Sequence, residues 1–109
     1  MATTYKVLGQ SNPSATTATT LYTTPAATQT IVSTITVCNQ AATAATYRIA
    51  VRVAGAALAA NQYVAYDVSL PANASDTLTL GVTLGATDVI TVYASTATMS
   101  FSAFGSELS

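Results

Sequence analysis

The sequence predicts an all-β fold, an antiparallel sandwich of about eight strands. Apolar and polar residues alternate with period two through most of the chain, while helical periodicity is nearly absent. The alternating runs are rich in β-branched residues. They are also short and separated by clusters of Pro, Asn, Asp and Gly, the punctuation of a sandwich. A chain of 109 residues makes one domain, residues 1–109, and at that length about two-thirds of the unfolded surface is buried on folding. A jelly roll of two four-stranded sheets fits the strand number. An immunoglobulin-like Greek key fits almost as well, and the pattern alone does not choose between them.

"TYKVLGQ" is the first strand, and "SNPSATTATT" after it is a polar connector broken by Pro13. Residues 10–20 are therefore either a surface loop or an arm reaching a neighbouring subunit. "TLYTTP" is a short strand ended by Pro25. "QTIVSTITVCNQ" is a long central strand, with Ile31, Ile35 and Val37 expected on one face and Val32, Thr34 and Thr36 on the other. The clearest alternation is "TYRIAVRVAG", which puts Tyr47, Ile49, Val51 and Val53 inward and Thr46, Arg48, Ala50 and Arg52 outward. "GAALAANQ" bridges to "YVAYDVSLP", where Val64, Tyr66, Val68 and Leu70 are expected to face in and Tyr63, Ala65, Asp67 and Ser69 out. The turn "PANASD" leads into "TLTLGVTL", with Leu78, Leu80, Val82 and Leu84 inward. "VITVYAS" places Ile90 and Val92 inward, and "TMSFSAFGSEL" does the same with Met99, Phe101 and Ala103.

No constellation able to run a reaction is legible, and the chain is expected not to be an enzyme. Acid–base work needs two titratable groups close together in a shaped pocket. Asp76 and Asp88 instead follow turns, where Asp ordinarily caps backbone, and Glu107 sits in the tail. With no His, one Cys and no acidic cluster, neither a metal nor another cofactor is expected. Gly9, Gly55, Gly81, Gly85 and Gly105 are isolated and form no phosphate-cradling loop. Cys38 has no partner for a disulfide and reads as a small core residue, in keeping with a reducing cytosol. "NAS" at 73–75 matches a glycosylation acceptor, but the start "MATTYKVLGQ" has no apolar segment of the kind that directs secretion.

Two of the three basic residues, Arg48 and Arg52, share one strand face, about 13 Å apart along the backbone at about 3.3 Å per residue. Three roles compete: an ion pair with Asp67 across the neighbouring strand, a contact between subunits, and an anion site. Tyr22, Tyr63 and Tyr93 lie on expected outward faces, where they suit a partner protein or a sugar. Arg48, Arg52, Asp67, Tyr63 and Tyr93 are therefore the candidate interface residues.

The exterior carries the strongest functional signal. Only 6% of the residues are charged, and the net charge is -1, whereas soluble domains usually carry about 25% charged residues. Neither nucleic acid nor an anionic membrane surface is an expected partner, because both need a basic patch. Edge strands usually discourage self-association with charges, and this chain has few. Contact with identical or different subunits is the simplest resolution, most simply in a symmetric ring such as a homotrimer.

Several segments also carry a resemblance. They are "TLYTTPAATQTIVSTITVCNQAATAATYRIAVR", "YVAYDVSLPANASDTLTLGVTLGATDVITVYAS" and "FSAFGSE". In that order they resemble small β-sandwich domains of virion proteins in tailed bacteriophages, cyanophages included. The similarity spans roughly residues 5 to 107. It implies a structural virion protein, assembled in the host cytoplasm, whose partners are its own copies and other virion proteins such as the major capsid protein. Because the domain is expected to stand alone from Met1, with no fibre attached, a capsid decoration or cement role is the first expectation. A tail, baseplate or fibre adaptor is the second, and host-glycan binding the third.

Overall fold

A computed structural model describes residues 2–109. Nine strands form: β1 (Thr3–Ser11), β2 (Thr19–Thr23), β3 (Gln29–Asn39), β4 (Ala45–Arg52), β5 (Tyr63–Leu70), β6 (Ser75–Leu78), β7 (Val82–Leu84), β8 (Val89–Ala94) and β9 (Met99–Leu108). Two short 3-10 turns, Val53–Gly55 and Ala60–Gln62, lie between β4 and β5. The first sheet runs β1-β9-β3-β6, with β7 also on β3; the second runs β2-β8-β4-β5. All pairings are antiparallel.

The pairings are nested: β1 with β9, β2 with β8, β3 with β6 and β7, and β4 with β5. That nesting describes one long hairpin rolled over on itself, which is the jelly roll rather than the immunoglobulin-like alternative. The ninth strand arises from a break. "TLTLGVTL" was expected to run continuously, but Gly81 adopts φ 63, a left-handed conformation natural to glycine. The break divides the run into β6 and β7, so Leu80 is exposed instead of buried.

Between the sheets lies one core, centred on Tyr47, Ile49, Ile35, Val37, Ile90, Met99 and Phe101. The rings of Tyr47 and Phe101 meet edge to face across it, 6.1 Å apart, an arrangement favoured by the aromatic quadrupoles.

Bulges account for most departures from simple alternation, because one extra residue turns the following side chains to the opposite face. In β3, Val32 pairs with Gly105 and Thr34 with Phe104, leaving Ser33 unpaired. Thr30 and Val32 consequently face inward before the bulge, and Ile35 and Val37 after it. Ile31 was expected to share a face with Ile35 and Val37, but it is 54% exposed while they are buried. Gly105 makes this geometry possible, since a Cβ there would run into the backbone carbonyl of Ile31.

Cys38 is half-buried on the outward side of β3, between the buried Val37 and Asn39, rather than in the core. Val53 follows the end of β4 and is exposed, not inward. Residues 12–18 do not form a free arm. Asn12 donates to the carbonyls of Ala97 and Met99, the amide of Thr16 donates to Ala94, and Pro13 is buried.

Candidate interaction surface

The outward face of the β4–β5–β8 sheet carries a dense group of charged and aromatic side chains. Its geometry comes from a bulge in β5. Tyr47 pairs with Val68 and Ile49 with Ala65, so Arg48 between them faces two residues, Tyr66 and Asp67. Asp67 takes φ 48, a left-handed conformation that Asp tolerates better than most residues. Tyr66 and Val64 were expected inward but are exposed, while Ala65 packs against the core.

Arg48 forms the anticipated ion pair. Its Nε and Nη2 donate to the two carboxylate oxygens of Asp67 at 2.6 and 3.2 Å. On either side its guanidinium stands 4.3 Å from the ring centroids of Tyr66 and Tyr93, within cation–π range. Tyr63 meets Tyr66 edge to face at 4.9 Å. The hydrogen bond to Asp67 holds the arginine still further above its already high ordinary pKa. This arginine is a fixed, fully engaged charge. Beside it, Leu58, Ala59, Ala60, Tyr63 and Tyr66 line an open hollow of about 580 Å3.

Arg52 does not join this group. It donates to the carbonyls of Gly55 and Ala56 and to the Thr91 hydroxyl, tying the segment after β4 back onto the sheet. The two arginines therefore form no shared anion site. Asp88 caps backbone as expected, accepting from the amides of Ala54 and Gly85.

Two tyrosine–carboxylate struts join the sheets, and neither was legible beforehand. Tyr22, expected outward, is buried, and its hydroxyl donates to Glu107 and meets Thr30 at 2.8 Å. Glu107 lies in β9, not in a tail, and also pairs with Lys6 at 3.1 Å. The hydrogen bond from Tyr22, followed by the nearby Lys6, holds Glu107 below the usual carboxylate range. Burial and then Glu107 push Tyr22 up to about 12. At the other end, Tyr47 donates to Asp76 at 2.9 Å, and burial followed by this bond raises the phenol's pKa. At Tyr22 and Glu107, a phenol made harder to ionise beside a carboxylate made harder to protonate suits a structural link, the reverse of a pair tuned to exchange protons near neutrality. Among the described residues, no group of three His, Cys, Asp or Glu stands where it could hold a metal. No helix among them is long and apolar enough to cross a membrane.

Of the five candidate interface residues, the structure gathers Arg48, Asp67, Tyr63 and Tyr93 and separates Arg52. Tyr66 is the member missed by alternation. The available signal was an Asp inside a strand, a residue that favours bulges and turns over regular pleat. Comparison with protein-family models, with curated proteins and with solved structures finds no match.

Proposed function

We propose that this chain is a structural subunit of a tailed-phage virion, acting by adhesion and without chemistry, with capsid decoration or cementing as its role. One observation carries the reading: each of the seven charged side chains is engaged within the chain. Lys6 pairs with Glu107 and Arg48 with Asp67. Arg52 holds backbone carbonyls, Asp76 accepts from Tyr47, and Asp88 caps two amides. The exterior thus offers a partner hydroxyls, amides and apolar side chains such as Tyr5, Ile31 and Tyr66. Such a surface suits contacts in which little charge must be desolvated.

Cement subunits of this kind stabilise a shell by many simultaneous contacts, so that modest individual affinities combine. The subunits are proposed to meet one another and the major capsid protein in a closed, symmetric oligomer. The jelly roll serves both viral coats and lectins, so the fold is no argument for cement over glycan binding. A specific feature favours keeping the glycan reading second: the exposed aromatic side chain of Tyr66 beside its hollow, the kind of residue on which a sugar ring can stack.

Particles made with and without the chain test the proposal. Shells lacking it are expected to rupture at lower temperature and milder osmotic shock. Equal survival contradicts cementing, recovery of the chain with purified tails moves the role to an adaptor, and retention on host polysaccharide promotes glycan binding.

A further inference from the structure

The outward face of the first sheet carries no charged side chain among the described residues. Lys6, Glu107 and Asp76 point to the inner side of that sheet, where Glu107 meets Lys6 and Tyr22, and Asp76 meets Tyr47. The other four charges belong to the second sheet and the connections around it. Across β6 and the adjoining half of the sheet, this face is a lawn of small hydroxyls, with Ser75, Thr77, Thr36, Ser100 and Ser102 in register.

Its other end is apolar. Tyr5 is 83% exposed, and Ile31 and Val7 are each about half exposed. Tyr5 and Ile31 both lie opposite Ser106, from the two strands that flank β9. Their side chains thus rise two strand spacings apart, about 10 Å. Ser106 and Leu108 floor the space between them, and Thr3 and Gln29 extend its walls, giving a hollow of about 370 Å3. A large exposed ring therefore stands directly beside a slot wide enough to receive one.

We infer that this face binds a second copy of the same chain, face to face about a two-fold axis, each Tyr5 entering the partner's slot between Tyr5 and Ile31. A two-fold contact requires a patch that complements itself. Knob and slot side by side meet that requirement, and the lack of charge removes the like-charge clash that arises when a surface meets its own image. A strongly charged partner would find no complement here. Area is sufficient as well. Four strands about 4.8 Å apart, with β9 about 33 Å long, present about 600 Å2 of flat sheet. The accessible area over its side chains is larger, near the roughly 800 Å2 per partner of a standard interface. The pairing is a property of the free chain, so it stands or falls independently of the virion reading.

Light scattering on the purified chain, compared with Ile31→Asp, tests the inference. The wild type is expected at an even multiple of the 11.0 kDa chain mass. The variant, with unchanged circular dichroism, is expected at half the wild-type mass at equal concentration. A second arm does not depend on how that variant folds. In a Cys38→Ser background, Val7→Cys, which lies on the same apolar end and leaves Tyr5 in place, is expected to be joined to its copy by a flexible bis-maleimide, whereas Val53→Cys, exposed but off this face, is not. A wild type of single-chain mass at high concentration, an odd-numbered oligomer, a mass unmoved in a folded Ile31→Asp, or no cross-link through position 7 would each overturn the pairing.

Discussion

Asp67 meets Arg48 through a backbone that regular strand geometry does not supply: its φ is 48, and its carboxylate stands 2.6 Å from the arginine Nε. The conformation and the charge make separate contributions, which substitution can divide. Asp67→Asn keeps a side chain that tolerates the left-handed region and removes only the ion pair. Its cost is expected within about 1 kcal/mol, the range of exposed pairs. Asp67→Val also places a β-branched residue at positive φ, adding about 1–2 kcal/mol. Urea midpoints measure both, and equal losses would show that the bulge carries no conformational demand.

A second prediction concerns the β3 bulge. Gly105→Ala drives a methyl into the Ile31 carbonyl, and neither strand can retreat without losing ladder bonds on both sides of β9. The variant is expected to lose more than about 3 kcal/mol or fail to fold. Gly85→Ala has only the Asp88 carboxylate at 3.7 Å in its way, and is expected to stay within about 1 kcal/mol of wild type. Thermal unfolding of the pair checks the contrast.

These bulges also mark the limit of what the sequence disclosed. Alternation found the strands because every core strand keeps one side against the other sheet, as in Tyr47, Ile49, Met99, Phe101 and Ala103. It carried no information about extra residues. In "TIVST", Ile31 and Val32 are equally apolar, and only the glycine opposite, 73 residues away in the chain, decides which one turns inward. In "YVAYDV" the alternating reading buried Tyr66, and the left-handed Asp67 reverses it. Lys6 and Glu107 are 101 residues apart in sequence, and Tyr22 reads as outward until its hydroxyl is seen to find Glu107. Such long-range partners follow from the rolled topology, and no local pattern specifies them.

The Tyr22–Glu107 strut predicts a pH response at both ends of the scale. Glu107 lies below its ordinary 4.5 in the folded chain, so in that interval the unfolded chain holds more protons. Its contribution is fully present above 4.5 and is lost as pH falls through the folded value. Tyr22 runs the other way. Raised from 10.0 to about 12, it contributes fully below 10.0, and that contribution is lost as pH rises through about 12. Melting temperatures from roughly pH 3 to 7 are expected to fall on the acid side less steeply in Glu107→Gln than in wild type. Parallel acid limbs would contradict the strut.

Tyr47→Phe isolates the second strut. The ring remains in the core against Phe101, while Asp76 loses its phenolic donor. The expected cost is about 1–3 kcal/mol, that of leaving a partly buried acceptor unpaired, with an unchanged far-UV spectrum. A cost near zero would mean that water replaces the phenol.

The central claim is that the nearly uncharged exterior is occupied by neighbouring proteins in an assembled particle. Counting the chain in purified virions, with separated heads and tails, addresses it most directly. The account predicts hundreds of copies, retained with the heads. Virions that contain none of the chain would contradict it.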